Sequence, residues 1–169
     1  MNRNWNTNWR KSIIVLSGGF DPVHKGHLRM FREASNLGPQ VIVGLNSDEW
    51  FTRKKGKPFM KFEERKEILE GFKYVNQVVP FDDSDDTACD LIRRVNSIYE
   101  GDEFEYDYED AGHNGMVGYY EIYFANGGDR TTDNVPETDV CKELDVVMLW
   151  GIGGGKVQSS SWLIEGKDE

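Results

Sequence analysis

Residues 18–31 read GGFDPVHKGHLRMF, and they decide how the surrounding chain folds. The run that precedes them, Ser12–Ser17 (SIIVLS), is short, apolar and β-branched, which is typical of a buried parallel strand. A glycine pair and Pro22 end that strand, and apolar residues at helical spacing predict a helix over residues 24–37. The stretch is therefore a strand–turn–helix junction, and two of the three histidines fall in the first turn of its helix.

Strands and helices alternate along the rest of the chain. Further strands are predicted at Val41–Leu45, Val75–Phe81, Tyr120–Phe124 and Leu144–Leu149, and further helices at Phe62–Phe72, Thr87–Val95 and from Ser159–Ser161 onward. This order predicts an α/β fold in which helices cover both faces of a parallel sheet. We expect a flexible tail over residues 1–11, a single domain over 12–169 and a loop over 46–61. Within the domain, residues 97–118 are expected to form an acidic insertion outside any regular element.

Composition narrows the possible partners. The net charge is -10, and acidic residues are concentrated in two runs, residues 81–86 (FDDSDD) and 99–110. This balance disfavours binding to a nucleic-acid backbone, which needs a broad cationic surface. No apolar run reaches the roughly 18–20 residues of a membrane helix, and the N-terminus lacks the apolar region of a secretory signal. Cys89 and Cys141 stand apart from each other and from any histidine, so we expect reduced thiols in a cytoplasmic protein and no metal site.

The two histidines suggest a phosphate site. His24 and His27 are three residues apart, so they share one face at the start of the predicted helix. The free backbone N–H groups and the dipole of a helix N-terminus favour an anion, and the glycines of the turn let a ligand approach the backbone closely. The alternative interpretation is a pair of structural histidines that cap the helix.

A basic stretch follows the second strand. Arg53, Lys54, Lys55, Lys57 and Lys61 lie on the predicted loop, and Arg65 lies on the next predicted helix. One interpretation is a solvated charged loop. The other is a mobile clamp that neutralises a polyphosphate, in which Arg65 makes fixed bidentate contacts.

Two glycine-containing segments lie at predicted strand ends. FANGGDR, residues 124–130, places Asp129 where it can contact a base, a ribose or a metal, or simply cap a turn. GIGGGKVQSSSW, residues 151–162, offers backbone amides, Lys156 and three serine hydroxyls to an anion, or serves as a flexible connection. Neither a G-x-S-x-G elbow nor a P-loop pattern is present, so the motifs favour positioning and charge stabilisation over covalent catalysis.

These motifs together resemble a known superfamily. GGFDPVHKGH is similar to the G-x-F-D-x-x-H-x-G-H signature of the nucleotidyltransferases that include the cytidylyltransferases and related adenylyltransferases. Residues 58–81 resemble the family's E-x-R helix and the strand after it, and FANGGDR and KVQSSSW resemble its G-G-D turn and its serine-rich helix start. The resemblance implies a Rossmann-like sheet and attack by a phosphate oxygen on the α-phosphate of a nucleoside triphosphate, usually assisted by Mg²⁺. It also implies a small phosphorylated acceptor and a homodimer.

Roles follow from the resemblance position by position. His24 and His27 would stabilise the pentacoordinate α-phosphate, Lys55 or Lys57 would hold the phosphates with help from Lys61, and Arg65 would orient the acceptor or the triphosphate. The nucleotide-binding residues implied are Gly18, Gly19, Phe20, Asp21, Gly26, Lys61, Gly128, Asp129, Arg130, Lys156, Ser159, Ser160 and Ser161.

The sequence does not decide which base the nucleotide carries or which molecule is the acceptor. The stretch 58–81 resembles glycerol-phosphate cytidylyltransferases, whereas GGDR resembles heptose-phosphate adenylyltransferases, and we favour CTP over ATP. The R-T-E-G segment of many cytidylyltransferases is replaced by GIGGGKVQ, so Lys156 stands in for an arginine. Residues 97–118 form either a solvated loop or a lid over the acceptor, with Tyr99, Tyr106, Tyr108 and His113 as its candidate contacts. The rival hypotheses are a non-catalytic nucleotide sensor and an adenylyltransferase for pantetheine phosphate or nicotinate mononucleotide, which should lack the GGDR and SSS pairing.

Overall fold

The structure is a computed structural model that describes residues 10–106, 116–127, 130, 135–155 and 157–166. Its strands are β1 (Arg10–Gly18), β2 (Gln40–Leu45), β3 (Gln77–Pro80), β4 (Glu103–Tyr106), β5 (Met116–Gly127) and β6 (Val147–Ile152). Its helices are α1 (Lys25–Leu37), α2 (Asp48–Lys55), α3 (Phe62–Glu70), α4 (Cys89–Tyr99), α5 (Thr138–Glu143) and α6 (Ser160–Glu165). Because β1 begins at Arg10, the tail predicted over residues 1–11 overlaps the first strand.

The strands form one sheet in the order β3-β2-β1-β5, and β4 and β6 share the far side of β5. β4 pairs with the amino-terminal part of β5 in antiparallel orientation, and β6 pairs with its carboxyl-terminal part in parallel orientation. The pairings of β1 with β2 and β5, and of β2 with β3, are also parallel. The predicted α/β architecture with a parallel sheet is therefore confirmed, with β4 as an antiparallel addition.

Helices pack on both faces of the sheet, as predicted. Ile13, Ile14, Val15 and Leu16 of the central strand β1 are all 0% exposed. Ile13 and Val15 join a cluster with buried residues of α4 and α5, whereas Ile14 and Leu16 join a cluster with α1 and α3. Alternate side chains of a strand point to opposite faces, so a wholly apolar run indicates a strand that is covered twice.

The segment expected to lack regular structure is partly a hairpin. Its beginning completes α4, Glu103–Tyr106 forms β4, and the backbone from Met116 pairs with that strand. This pairing reaches Tyr119 of β5, which also pairs with Arg10 at the amino end of β1. The hairpin therefore lies at the edge of the sheet opposite the carboxyl ends of the parallel strands. The prediction of an irregular insertion was wrong for these residues, and the described part of the hairpin lies away from the edge at which a lid would act. Tyr108 and His113 lie outside the described residues.

The loop predicted over residues 46–61 contains a helix. α2 occupies Asp48–Lys55, so Arg53, Lys54 and Lys55 lie on its last turn rather than on a loop. Ser47 caps this helix, accepting a hydrogen bond from the backbone of Trp50. Helical spacing is hard to recognise here because Phe51 is the only residue of α2 that is buried.

The last strand is displaced from its predicted position. Leu144 follows a short helix, α5, and β6 begins at Val147 rather than at Leu144. Cys141 of α5 is a buried free thiol, and burial raises its pKa to about 12, while Cys89 is a half-buried free thiol. None of the helices in the described parts of the chain is long and apolar enough to cross a membrane.

Candidate active site

His24 and His27 are adjacent at the amino end of α1. His24 is the N-cap residue, and its Nδ1 accepts a hydrogen bond from the backbone N–H of Gly26 at 3.1 Å. The Nδ1 of His27 accepts from the backbone N–H of His24 at 3.3 Å, which completes a reciprocal capping box. The two imidazole rings stack with centroids 3.8 Å apart and an angle of 19° between their planes.

These contacts determine which ring nitrogen carries the proton. A neutral imidazole has one N–H, and a nitrogen that accepts a hydrogen bond has none. Because Nδ1 accepts in both rings, both are neutral with the proton on Nε2. Capping the helix and binding a phosphate are therefore compatible, since the first role uses Nδ1 and the second needs an Nε2–H donor.

Burial keeps both rings neutral. Desolvation is the main cause that lowers the pKa of His27, the neighbouring His24 is the second, and together they bring it to about 3. The pKa of His24 is also lowered, first by desolvation and then by the charge of Lys25. Both residues are therefore hydrogen-bond donors without a formal charge near neutral pH.

The pair faces a cleft of about 330 Å³ at the carboxyl ends of β1, β5 and β6. Of the predicted site residues, the cleft is lined by Gly18, Phe20, His24, Gly26, His27, Lys55, Arg130, Ser159 and Ser160. A crevice at this edge of a parallel sheet is the usual ligand position in open α/β folds. Nine residues from four separate segments of the sequence thus meet at one site.

The glycine turn before α1 is tightly packed. A Cβ on Gly19 would lie 2.4 Å from the Phe51 ring, closer than carbon atoms can approach. Phe20, with a φ of 51°, places its ring edge-on to His27 at 4.8 Å between centroids. The turn therefore positions an aromatic ring behind the histidine pair, and Gly19 supports the turn without lining the cleft.

Arg65 lies behind this turn and is fully buried. Its Nη1 donates to the carbonyl oxygens of Gly19 and Asn46, each at 2.9 Å, and its Nε donates to that of Met60 at 3.0 Å. Its Nη2 donates to Asp48 Oδ1 at 2.8 Å.

This environment corrects the role expected for Arg65. Its side chain is 0% exposed and its guanidinium lies 4.8 Å from the centre of the Phe51 ring, so it presents no surface to an acceptor or a triphosphate. Instead it joins the end of β2, the start of α2 and the glycine turn. Arg65 is a positioning residue in this structure.

Asp21 is also placed behind the cleft. Its carboxylate is buried and accepts hydrogen bonds from the backbone N–H groups of Phe59 and Met60, at 2.6 and 2.8 Å. These bonds tie the segment between α2 and α3 to the turn after β1. Because both of its carboxylate oxygens accept these bonds, Asp21 is not placed to contact a nucleotide as predicted.

The lysines of the basic stretch divide by position. Lys55 lines the cleft, with Nζ 5.7 Å from the centre of the Phe51 ring. Lys57 is exposed and does not line the cleft, and Lys61 is exposed and lies 3.7 Å from Asp48.

The other cations of the stretch pair with the acidic run at residues 81–86. Arg53 donates to the carbonyl oxygen of Asp83 at 2.6 Å, and Lys54 lies 2.9 Å from the Asp86 carboxylate. The expectation of a free clamp is therefore replaced by a helix that is held in place by ion pairs.

The serines lie where α6 begins, next to the turn that precedes α1. Ser160 Oγ donates to the carbonyl oxygen of Pro22 at 2.8 Å, and the hydroxyls of Ser159 and Ser161 lie 2.8 Å apart. In the glycine segment before them, Gly153 donates its backbone N–H to Glu33 Oε2 at 2.7 Å. One of the amides expected to bind an anion is thus already occupied by a carboxylate of α1.

The sequence did not predict several of the residues that line the cleft, and some of the residues it did predict lie outside the described part of the chain. Ser17, Met30, Asn126 and Gln158 also line the cleft. Asn126 could have been found, because it is a polar residue that ends an apolar strand directly before a glycine pair. The predicted residues Gly128, Asp129 and Lys156 lie outside the described residues.

The described lining of the cleft is poor in ligands for Mg²⁺. Within the described ranges, no cluster of three His, Cys, Asp or Glu side chains is arranged to hold a metal, and no carboxylate lines the cleft. This donor set fits a Mg²⁺ that arrives bound to triphosphate oxygens, as part of the substrate.

The cytidylyltransferase-like family model matches residues 15–150, which contain the histidine pair, α2, Arg65 and most of the sheet. The chain therefore belongs to the cytidylyltransferase-like family, and it is a nucleotidyltransferase. The resemblance seen in the motifs is confirmed.

Individual relatives have a range of activities. The chain is 28% identical over 132 residues to glycerol-3-phosphate cytidylyltransferase of Bacillus spizizenii, covering 78% of this chain and 95% of that protein. It is 36% identical over 99 residues to the bifunctional protein HldE of Sulfurimonas denitrificans, covering 56% of this chain but only 20% of HldE. The crystal structure of a lipopolysaccharide core biosynthesis protein from Thermoplasma volcanium shares the fold, with a TM-score of 0.55, 17% identity, and coverage of 85% of this chain and 97% of that one.

Proposed function

We propose that this protein transfers CMP from CTP to a small phosphomonoester, a sugar or polyol phosphate, and releases pyrophosphate. The observation that carries the proposal is the stacked pair of neutral histidines, which use Nδ1 for helix capping, keep a proton on Nε2 and line a cleft at the carboxyl edge of the sheet. The chain aligns with 95% of the length of a glycerol-3-phosphate cytidylyltransferase, and this similarity supports CTP as the donor.

The mechanism needs positioning and charge stabilisation rather than a covalent intermediate. An oxygen of the acceptor phosphate attacks the α-phosphorus in line, forming one P–O bond while the bond to the β-phosphate oxygen breaks. His24 and His27 donate from Nε2 to the non-bridging α-phosphate oxygens, on which negative charge accumulates. Two donors fixed by helix capping need no reorganisation when the charge develops, so their stabilisation acts in the transition state.

The remaining charge is met from the walls of the cleft. Lys55 is placed to bind the phosphates that leave as pyrophosphate, and the Ser159 hydroxyl is the α6 donor for a β- or γ-oxygen, since the Ser160 hydroxyl already donates to the Pro22 carbonyl. Mg²⁺ supplied with the nucleotide neutralises part of the triphosphate charge.

A second candidate is transfer of AMP from ATP to a heptose-1-phosphate-like acceptor. The GGDR sequence and the similarity to HldE favour it. The exocyclic amino groups of cytosine and adenine are similar hydrogen-bond donors, so the cleft does not decide between the bases.

Pyrophosphate release separates these candidates. The protein is incubated with Mg²⁺ and each of CTP, ATP, UTP and GTP, together with a panel of polyol and sugar phosphates. Release that requires CTP and one acceptor supports the proposal, and release with ATP and a heptose phosphate supports the second candidate. If every nucleotide is inert with every acceptor in the panel, this reaction is not the function of the chain.

His24→Asn tests whether the protein is instead a non-catalytic nucleotide sensor. Asparagine can retain the capping acceptor but lacks the Nε2–H group, so an enzyme should lose turnover by about 10²–10³-fold while still binding nucleotide. Lys25→Ala, beside it and exposed, serves as the matched control. A protein that binds nucleotide but has no turnover to lose fits the sensor hypothesis.

A further inference from the structure

Asn126 is a buried amide whose carbonyl oxygen has no partner. The residue is 3% exposed, and its Oδ1 accepts no hydrogen bond from any part of the chain that the structure describes. Its Nδ2 is 3.5 Å from the carbonyl oxygen of Leu149, at the limit of a hydrogen bond. A buried polar atom without a partner is unfavourable and rare in folded proteins, so its retention calls for an explanation.

The local backbone places Asn126 at the cleft. β5 and β6 change register around Asn126, because Ala125 pairs with Leu149 but Gly127 pairs with Ile152. Such irregularities often redirect a side chain next to a functional site. Asn126 lines the cleft in which the histidine pair lies.

The chemistry of the amide limits what it can bind. A carbonyl oxygen accepts hydrogen bonds, so it does not pair with phosphate oxygens, which also accept. Groups suited to phosphate lie elsewhere around the cleft, namely the histidine pair, Lys55 and the serines of α6. Asn126 Oδ1 is suited to a hydrogen-bond donor, and the O–H and N–H groups of a nucleotide lie on its ribose and its base.

We propose that Asn126 binds the nucleoside part of the nucleotide, its Oδ1 accepting a hydrogen bond from a ribose hydroxyl or from the exocyclic amino group of the base. This proposal rests on the proposed function, because it assumes that a nucleotide occupies the cleft. It makes Asn126 a specificity-determining residue that distinguishes nucleotides by one donor group.

The test uses Asn126→Leu, which has nearly the same volume but no acceptor. Dissociation constants for CTP with Mg²⁺ are measured by titration calorimetry, and the melting temperature is measured without ligand. We expect affinity to fall about tenfold, as for one lost hydrogen bond at a buried site. The melting temperature should stay unchanged or rise, because an unpartnered polar atom has been removed. A residue with a purely structural role would instead lose stability when replaced.

Nucleotide analogues identify the donor and exclude a steric effect. The unmodified protein is titrated with UTP, 2′-deoxy-CTP and 3′-deoxy-CTP, each of which lacks one donor of CTP. We expect one analogue to bind about tenfold more weakly than CTP, and this ratio to fall to about one in Asn126→Leu. UTP would identify the base amino group, and a deoxynucleotide would identify a ribose hydroxyl.

The outcomes separate the two proposals. If the unmodified protein binds CTP and Asn126→Leu binds it equally well, or if no analogue differs from CTP, the role of Asn126 is refuted and the proposed function stands. If the unmodified protein binds no nucleotide at all, both proposals are overturned.

Discussion

Replacing Arg65 by methionine is expected to lower the free energy of unfolding by about 3–5 kcal/mol, the usual cost of breaking a buried ion pair. The side chain is fully buried and supplies hydrogen bonds to three backbone carbonyls and to the Asp48 carboxylate. Each buried acceptor left without a donor costs about 1–3 kcal/mol, so four such losses would exceed this range if nothing relaxed. The Asp48 side chain is 24% exposed and can recover some solvation, which favours the lower figure.

Urea denaturation followed by circular dichroism measures the change. Lys66→Met is the matched control, because Lys66 lies on the same helix, is 31% exposed and pairs only with the exposed Glu70, at 2.6 Å, in the contacts observed. This substitution should leave the urea midpoint almost unchanged, because exposed ion pairs contribute little to stability. Arg65→Lys should fall between the two, since an ammonium group retains the charge but not the planar array of donors.

The same variants decide between the two roles considered for Arg65. If Arg65→Met unfolds at the same urea concentration as the unmodified protein, the positioning role is refuted. If stability is unchanged but KM for the acceptor or the nucleotide rises, direct substrate contact is the correct interpretation, and the buried conformation is not the one that acts in catalysis.

Three further predictions concern the same site. His27→Asn should reduce the pH dependence of stability. The pKa of His27 is about 3 in the folded protein and roughly 6.5 in the unfolded chain, so below about pH 6.5 the unfolded chain binds more protons than the folded protein. Stability from this group is present above about pH 6.5 and is lost as pH falls, by about 2 kcal/mol at about pH 5, so the unmodified protein should lose that much more than the variant in urea titrations. Gly19→Ala should cost about 1–3 kcal/mol, because its Cβ would lie 2.4 Å from the Phe51 ring, while Gly155→Ala, with open space around its Cβ, should change little; equal melting temperatures would contradict the packing described. Lys55→Ala should lower kcat/KM by about tenfold or more, and Lys57→Ala should not, because Lys55 lines the cleft and Lys57 does not; equal effects would mean that the segment after α2 closes during turnover.

The features that sequence reasoning found are those fixed by local chemistry. The centre of β1 is a short β-branched apolar run, which is typical of a strand covered on both faces, and its four residues Ile13–Leu16 are 0% exposed. The histidine pair is equally local, because its hydrogen bonds connect residues two and three positions apart. Such patterns can be recognised in one sequence, since their partners lie within the pattern itself.

α2 shows what could not be found in this way. Its amphipathic signal is weak, and it is stabilised by partners that are distant in sequence. Asp48 pairs with Arg65 on α3, and Ser47 is held by the Asp83 carboxylate, which accepts from its backbone N–H and its hydroxyl at 2.7 Å each. A basic run was therefore interpreted as a loop, because the acidic groups that fix it come from another part of the fold.

The distribution of charge follows from this pairing. The acidic run at residues 81–86 contributes to a net charge of -10, which alone would repel a triphosphate. Yet Asp83 and Asp86 are paired with Arg53 and Lys54, and the hydrogen bonds from Lys54 and Arg53 hold the pKa of Asp86 below its usual value. These pairs fix the last turn of α2, and Lys55 follows Lys54 as the final residue of that helix. The acidic run thus helps to determine where Lys55 meets the cleft. A strongly acidic protein can in this way present cationic and neutral donors to an anionic substrate, because carboxylates such as Asp83 and Asp86 are engaged outside the cleft.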